Sequence, residues 1–159
     1  MTKIVPSFTS EIFKRQSFES MRTEPLQLVT PPKSLLVIED DLSLIQFIDT
    51  ILDDQFTGLE WEYVTSGEQA LELIDRRGHF RGDSPYSLVM TDIFLEGETT
   101  GFDVWMDCQK QFPEMPFVIT SYLSFDRYFS ILRGMGNCPA YLPNPLTVTR
   151  CQAVFEEYF

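Results

Sequence analysis

Leu35-Leu36-Val37-Ile38-Glu39-Asp40-Asp41 is the stretch on which the fold turns. Four apolar residues without a polar break predict a central parallel strand, because only a strand covered on both faces is apolar at every position. The three acids mark its carboxyl end. Asp41 is placed to cap a helix, since Leu44, Ile45, Ile48, Ile51 and Leu52 follow at helical spacing.

The same alternation repeats to the end of the chain. Leu59 to Val64 partly alternates apolar with polar, which suits an edge strand. Ser66 and Gln69 are spaced as a capping box for a helix through Ala70, Leu71 and Ile74. Arg76 to Pro85, rich in Arg, Gly and polar residues, reads as a surface loop. Leu88 to Thr91 is the next strand, and Gly101 and Phe102 lead into a helix carrying Trp105, Cys108 and Phe112. Phe117 to Thr120 is a fourth strand. Phe125, Tyr128, Phe129 and Leu132 follow at amphipathic spacing. Ala140 to Leu142 is a short fifth strand, and Cys151, Val154, Phe155 and Tyr158 mark a last helix. Five strands alternating with five helices predict an α/β doubly wound parallel sheet, with right-handed crossovers setting helices on both faces.

Residues 1–33 differ from this body. They mix Ser, Thr and basic residues with Phe8, Phe13 and Phe18, and close on Thr30-Pro31-Pro32-Lys33, a linker-like step that no helix continues through. Ser10 to Met21 has weak helical periodicity. The division expected is an N-terminal extension or arm over 1–33 and one domain over 34–159. Hydrophobic residues are 43% and charged residues 23% of the 159, enough for an ordinary core. With 24 acidic against 12 basic side chains the formal net charge is -12, which repels phosphate backbones and argues against nucleic acid as a partner. No apolar run is long enough for membrane insertion, and no signal peptide is apparent. Cys108, Cys138 and Cys151 lack metal spacing and read as buried or half-buried thiols of a reducing cytoplasm. His79, the one histidine, reads as solvent-facing in a loop.

In a doubly wound sheet, ligands collect at the carboxyl ends of the strands. Glu39, Asp40 and Asp41 follow the first strand, Asp92 the third and Ser121 the fourth, with Asn144 and Pro145 just past the fifth. If the first and third strands are neighbours, Glu39, Asp40 and Asp92 converge. Carboxylates so placed repel one another unless a cation sits between them, and oxygen ligands completed by water suit magnesium. The plainer alternative is that these acids only cap helices.

The chain at this point resembles the receiver family of two-component signalling, from Ser34 to Phe159. LLVIEDD over 35–41 is similar to the family's first strand with its acidic pair, Glu39 and Asp40; SLVMTDIF over 87–94 to its phosphoacceptor strand; and PFVITS over 116–121 to the strand ending in a switch hydroxyl. Tyr141 falls at the family's switch aromatic. The resemblance implies a flavodoxin-like strand order 2-1-3-4-5 and phosphorylation of Asp92 by a histidine kinase or phosphotransfer protein. It also implies Mg2+ held by Glu39 or its water, Asp40, Asp92 and the Phe94 carbonyl. Ser121 would then bond the phosphoryl group and Tyr141 would turn, altering the face presented to a downstream protein target.

Three positions depart from the family pattern. Asn144 stands where the family has a lysine, although Pro145 is retained, which allows a cis Asn144–Pro145 bond. Tyr122 occupies a usually small position beside the site. The segment Leu95 to Gly101 lacks the family's proline and is longer. Two readings therefore stand: a single-domain, cytoplasmic bacterial response regulator that is not an enzyme, or a phosphorylation-independent pseudo-receiver used for binding or as a homodimer. A Mg2+-dependent phosphohydrolase with Asp92 as nucleophile is a minor alternative, weakened because Phe94 stands where such enzymes carry a second Asp.

Overall fold

The computed structural model describes residues 32–81 and 84–159. The arm, its short helix and most of the linker expected over 1–33 lie outside the described residues.

Five parallel strands, β1 (Ser34–Ile38), β2 (Glu60–Val64), β3 (Leu88–Asp92), β4 (Phe117–Ser121) and β5 (Ala140–Pro143), form one sheet in the order β2-β1-β3-β4-β5. Helices α1 (Leu42–Gln55), α2 (Gly67–Arg81), α3 (Gly101–Gln111), α4 (Phe125–Ile131) and α5 (Val148–Tyr158) alternate with them. Successive side chains of a strand point to opposite faces, and β1 shows the consequence. Leu35 and Val37 join Ile48, Ile51 and Leu52 of α1 and Cys151 and Phe155 of α5 in one core. Leu36 and Ile38 join Ala70 and Ile74 of α2, Val104, Trp105 and Cys108 of α3 and Tyr128 of α4 in the other. All five residues of β1 are buried, whereas β2, at the sheet edge, is only half-covered.

Asp41 caps α1 as expected, its carboxylate accepting from the Ser43 amide at 2.8 Å. Ser66 Oγ accepts from the Gln69 amide at 3.3 Å, but Gln69 reaches back one residue further than a capping box requires, to the Thr65 amide.

The structure corrects three expectations. Helix α2 runs on to Arg81, through most of the segment read as a loop, and so carries His79. Its later turns face α3 through Gly78, where a Cβ would stand 2.4 Å from the Phe112 ring, so a ring fills the space an apolar stripe would otherwise mark. His79 is solvent-facing, its ring against the Asp75 carbonyl one turn back. Tyr128 of α4 and Leu132, its C-cap, are buried, but Phe125 and Phe129 face solvent with their ring centroids 4.4 Å apart. This helix is only seven residues long and exposes two of its three aromatic side chains. Of the cysteines, Cys108 and Cys151 are buried, and burial pushes their thiols up to about 12 and about 11, but Cys138 is exposed.

Candidate functional site

The register of β1 against β3 pairs Ile38 with Thr91, so Glu39 and Asp92 stand one step further along at the same rim. Asp92 in turn pairs with Thr120 of β4, and Ser121 with Pro143 of β5, which brings Ser121 and the residue after Pro143, Asn144, to that rim as well. The Asn144 amide donates to the Ser121 carbonyl at 2.7 Å, and the Asn144–Pro145 peptide is cis.

Glu39 is buried to 5% exposure, and its carboxylate accepts from the Asp41 amide at 3.0 Å. Loss of water pushes its pKa up to about 7, making it a weaker acid, assisted by the nearby charges of Asp92 and Asp40. Asp92 is half-buried, and desolvation raises its carboxyl above the usual range, with Asp40 adding to the effect. One of its oxygens, Oδ2, accepts from the Phe94 amide at 2.9 Å. Asp40 is exposed. None of the three takes part in a salt bridge among the described residues. The lysines of the described body are Lys33, at the opposite end of β1, and Lys110, paired with Asp107.

Among the described residues no three carboxylate, thiol or imidazole groups stand close enough to cage a metal by themselves. The acids interact, but Glu39 and Asp92 are each turned to a backbone amide of their own loop. This donor set fits magnesium nonetheless. A hard ion that keeps several waters needs one or two carboxylates, not an all-protein cage, and the buried, uncompensated negative charge is what such an ion relieves.

Ser121 and Tyr141, the residues expected to switch, are both hydrogen-bonded. Ser121 is fully buried, and its hydroxyl accepts from the Leu123 amide at 3.2 Å. The Tyr141 hydroxyl donates toward the carbonyls of Ser121, at 3.0 Å, and Leu123. Its ring stacks on Tyr128 at 4.1 Å between centroids. Tyr122 stands in solvent with 75% of its surface exposed, and Phe94 with 63%. The Asn144 Oδ1 is buried without a hydrogen-bond partner, a cost that an amide bears only where something else fills the need.

Two features of the site escaped the sequence reading. At Gly101 a Cβ would lie 2.0 Å from the Asp92 carbonyl oxygen, so the start of α3 presses directly on the acidic strand end. The Gly101 amide also donates to the Ile93 carbonyl at 3.0 Å. The start of α3 is sharply defined: Thr100 and Asp103 form a reciprocal capping box. The Thr100-x-x-Asp103 spacing was the available signal. Glu68, at the first turn of α2, bonds the amides of Glu98 and Thr99, thirty residues away, and no local pattern announces such a contact.

No family model matches the sequence, nor does any curated protein. Solved structures do. NtrX from Brucella abortus is similar at 25% identity and a TM-score of 0.64, over 80% of this chain; the chain spans 26% of that protein's length. The chemotaxis protein CheY4 of Vibrio cholerae matches at 16% identity and a TM-score of 0.65, over 80% of this chain and 99% of that one. The Mn2+-bound form of the response regulator Rcp1 matches at 18% identity and a TM-score of 0.62, over 77% of this chain and 91% of that one. The strand order and these structural neighbours agree: the chain has the fold of response-regulator receiver domains.

Proposed function

We propose that this domain accepts a phosphoryl group on Asp92 from a phosphohistidine and thereby alters a protein-binding face. The observation that carries the reading is the level placement of buried Glu39 and half-buried Asp92 at one rim, with no salt bridge to either among the described residues. A carboxylate oxygen of Asp92 forms the new O–P bond as the donor's N–P bond breaks, and the released imidazole takes up a proton. Magnesium, held by Asp40, Asp92, the Phe94 carbonyl and Glu39 directly or through water, would offset the charge building on the phosphoryl oxygens. The Phe94 amide fixes one oxygen of Asp92 and so orients the carboxylate. The Ser121 hydroxyl would donate a hydrogen bond to the phosphoryl group, and the Ser121 and Leu123 carbonyls hold Tyr141 against Tyr128. The face that changes is the one carrying Phe125 and Phe129, whose rings are exposed.

Two observations favour a second reading, a pseudo-receiver that binds its partner without phosphate. Asn144 brings an amide and no charge to the rim, and Tyr141 is already anchored inward. Incubation with acetyl phosphate and magnesium separates the two. The phosphoacceptor reading expects a single phosphoryl adduct by intact mass, absent from Asp92→Ala. No adduct, with Asp92→Ala and parent binding a partner equally, supports the pseudo-receiver.

A further inference from the structure

The segment between β3 and α3 links Asp92 to Gly101 and includes Phe94. It carries no proline, the residue that would stiffen it by fixing φ, yet it is held at three points by the start of α2. Ser66 and Glu96 form an isolated parallel bridge. Glu68 Oε1 accepts from the Glu98 amide at 3.2 Å and the Thr99 amide at 2.8 Å. Gly97 lies at φ +110, a left-handed conformation that brings its Cα close under the same carboxylate; a Cβ there would stand 2.9 Å from Glu68 Oε2. Two amides meeting one carboxylate oxygen form charge-assisted bonds, stronger than neutral ones. They also fix the segment's end opposite to the anchor at Asp92, where the Phe94 amide bonds the acid itself.

We propose that Glu68 is a positioning residue for the cation site: it acts through the Glu98 and Thr99 amides to hold the segment that presents the Phe94 carbonyl. This rests on the reading of Asp92 as part of a magnesium site. Groups that orient ligands from one layer out change metal affinity by about 10- to 100-fold when removed. Glu68→Ala leaves both amides to water and frees the segment to move. Glu68→Gln keeps an oxygen that can accept from both.

The test is magnesium affinity by calorimetry on the full chain, with exchange protection of the Glu98 and Thr99 amides by NMR. The parent, Glu68→Ala, Glu68→Gln and Glu72→Ala are compared, the last removing the same charge from an exposed position on the same helix. Glu68→Ala is expected to weaken magnesium by about 10-fold and to lose protection at both amides, with Glu68→Gln and Glu72→Ala close to the parent. Parent-like affinity in Glu68→Ala, or equal weakening in Glu72→Ala, overturns the proposal and leaves the magnesium site standing. A parent that binds no magnesium overturns the site itself, and the positioning role with it.

Discussion

The Tyr141 hydroxyl lies 3.0 Å from the Ser121 carbonyl, so the aromatic ring of β5 is tied to the end of the strand beside Asp92. The ring stacks on Tyr128 at 4.1 Å and meets Phe125 in a tilted contact at 6.0 Å. Tyr141→Phe keeps the stack and removes the tie. We expect a loss of about 1 kcal/mol in urea unfolding, with faster amide exchange confined to Ser121–Ser124. Unchanged exchange there would show that the ring, not the hydroxyl, fixes the loop.

Gly101→Ala places a methyl 2.0 Å from the Asp92 carbonyl oxygen, backbone against backbone, where no flexible side chain can yield. The expected cost is about 2 kcal/mol or more in chemical denaturation, together with weaker magnesium binding because Asp92 must move. Alanine at Gly136, where a Cβ meets nothing, is the matched control.

Asn144→Lys brings positive charge to a rim whose carboxylates have no salt-bridge partner among the described residues. Preorganised charge at a transferring phosphoryl group accounts for large rate effects, so adduct formation from acetyl phosphate should rise on the order of 10-fold. An unchanged rate would mean that the missing charge is not what limits transfer.

The hydrogen bonds to Glu68 lower its carboxyl to about 2, with the Thr99 hydroxyl the largest cause. The unfolded chain holds a glutamate near its ordinary value of 4.5. The folded group therefore binds its proton less readily, and its contribution is complete above about pH 4.5 and lost as pH falls toward 2. Acid denaturation of Glu68→Gln should lack this component, seen as a flatter stability curve between those limits.

Glu39 has the opposite sign. Burial raises its carboxyl to about 7, so the folded state holds the proton more tightly, and stability falls as pH rises from about 4.5 to 7 in magnesium-free buffer. Glu39→Gln keeps the acceptor for the Asp41 amide and removes the buried charge. It should raise stability at pH 8 by on the order of 2 kcal/mol without magnesium and lower the further gain on adding it.

The fold was legible because burial on both faces leaves no room for polar residues in Leu35–Ile38, Leu88–Met90 and Phe117–Ile119, and the strand ends follow from those runs. Glu39 and Asp92 could be placed at one rim given the first and third strands as neighbours, as the resemblance implies. What stayed hidden depends on contacts between distant segments. Gly78 fits against Phe112, and so a helix passed for a loop. Phe125 and Phe129 follow core spacing, but α4 is too short to bury both sides, and spacing alone does not say which way a short helix faces. Glu68 looks like any acid at a helix start until the Glu98–Thr99 backbone is brought to it.

Magnesium calorimetry with and without beryllofluoride, on the parent and on Asp92→Ala, bears most directly on the account. A shared site for the ion and a phosphoryl group predicts magnesium binding in the parent that tightens when beryllofluoride is added, and neither effect in Asp92→Ala. Magnesium binding that ignores beryllofluoride, or that survives loss of the Asp92 carboxylate, would contradict it.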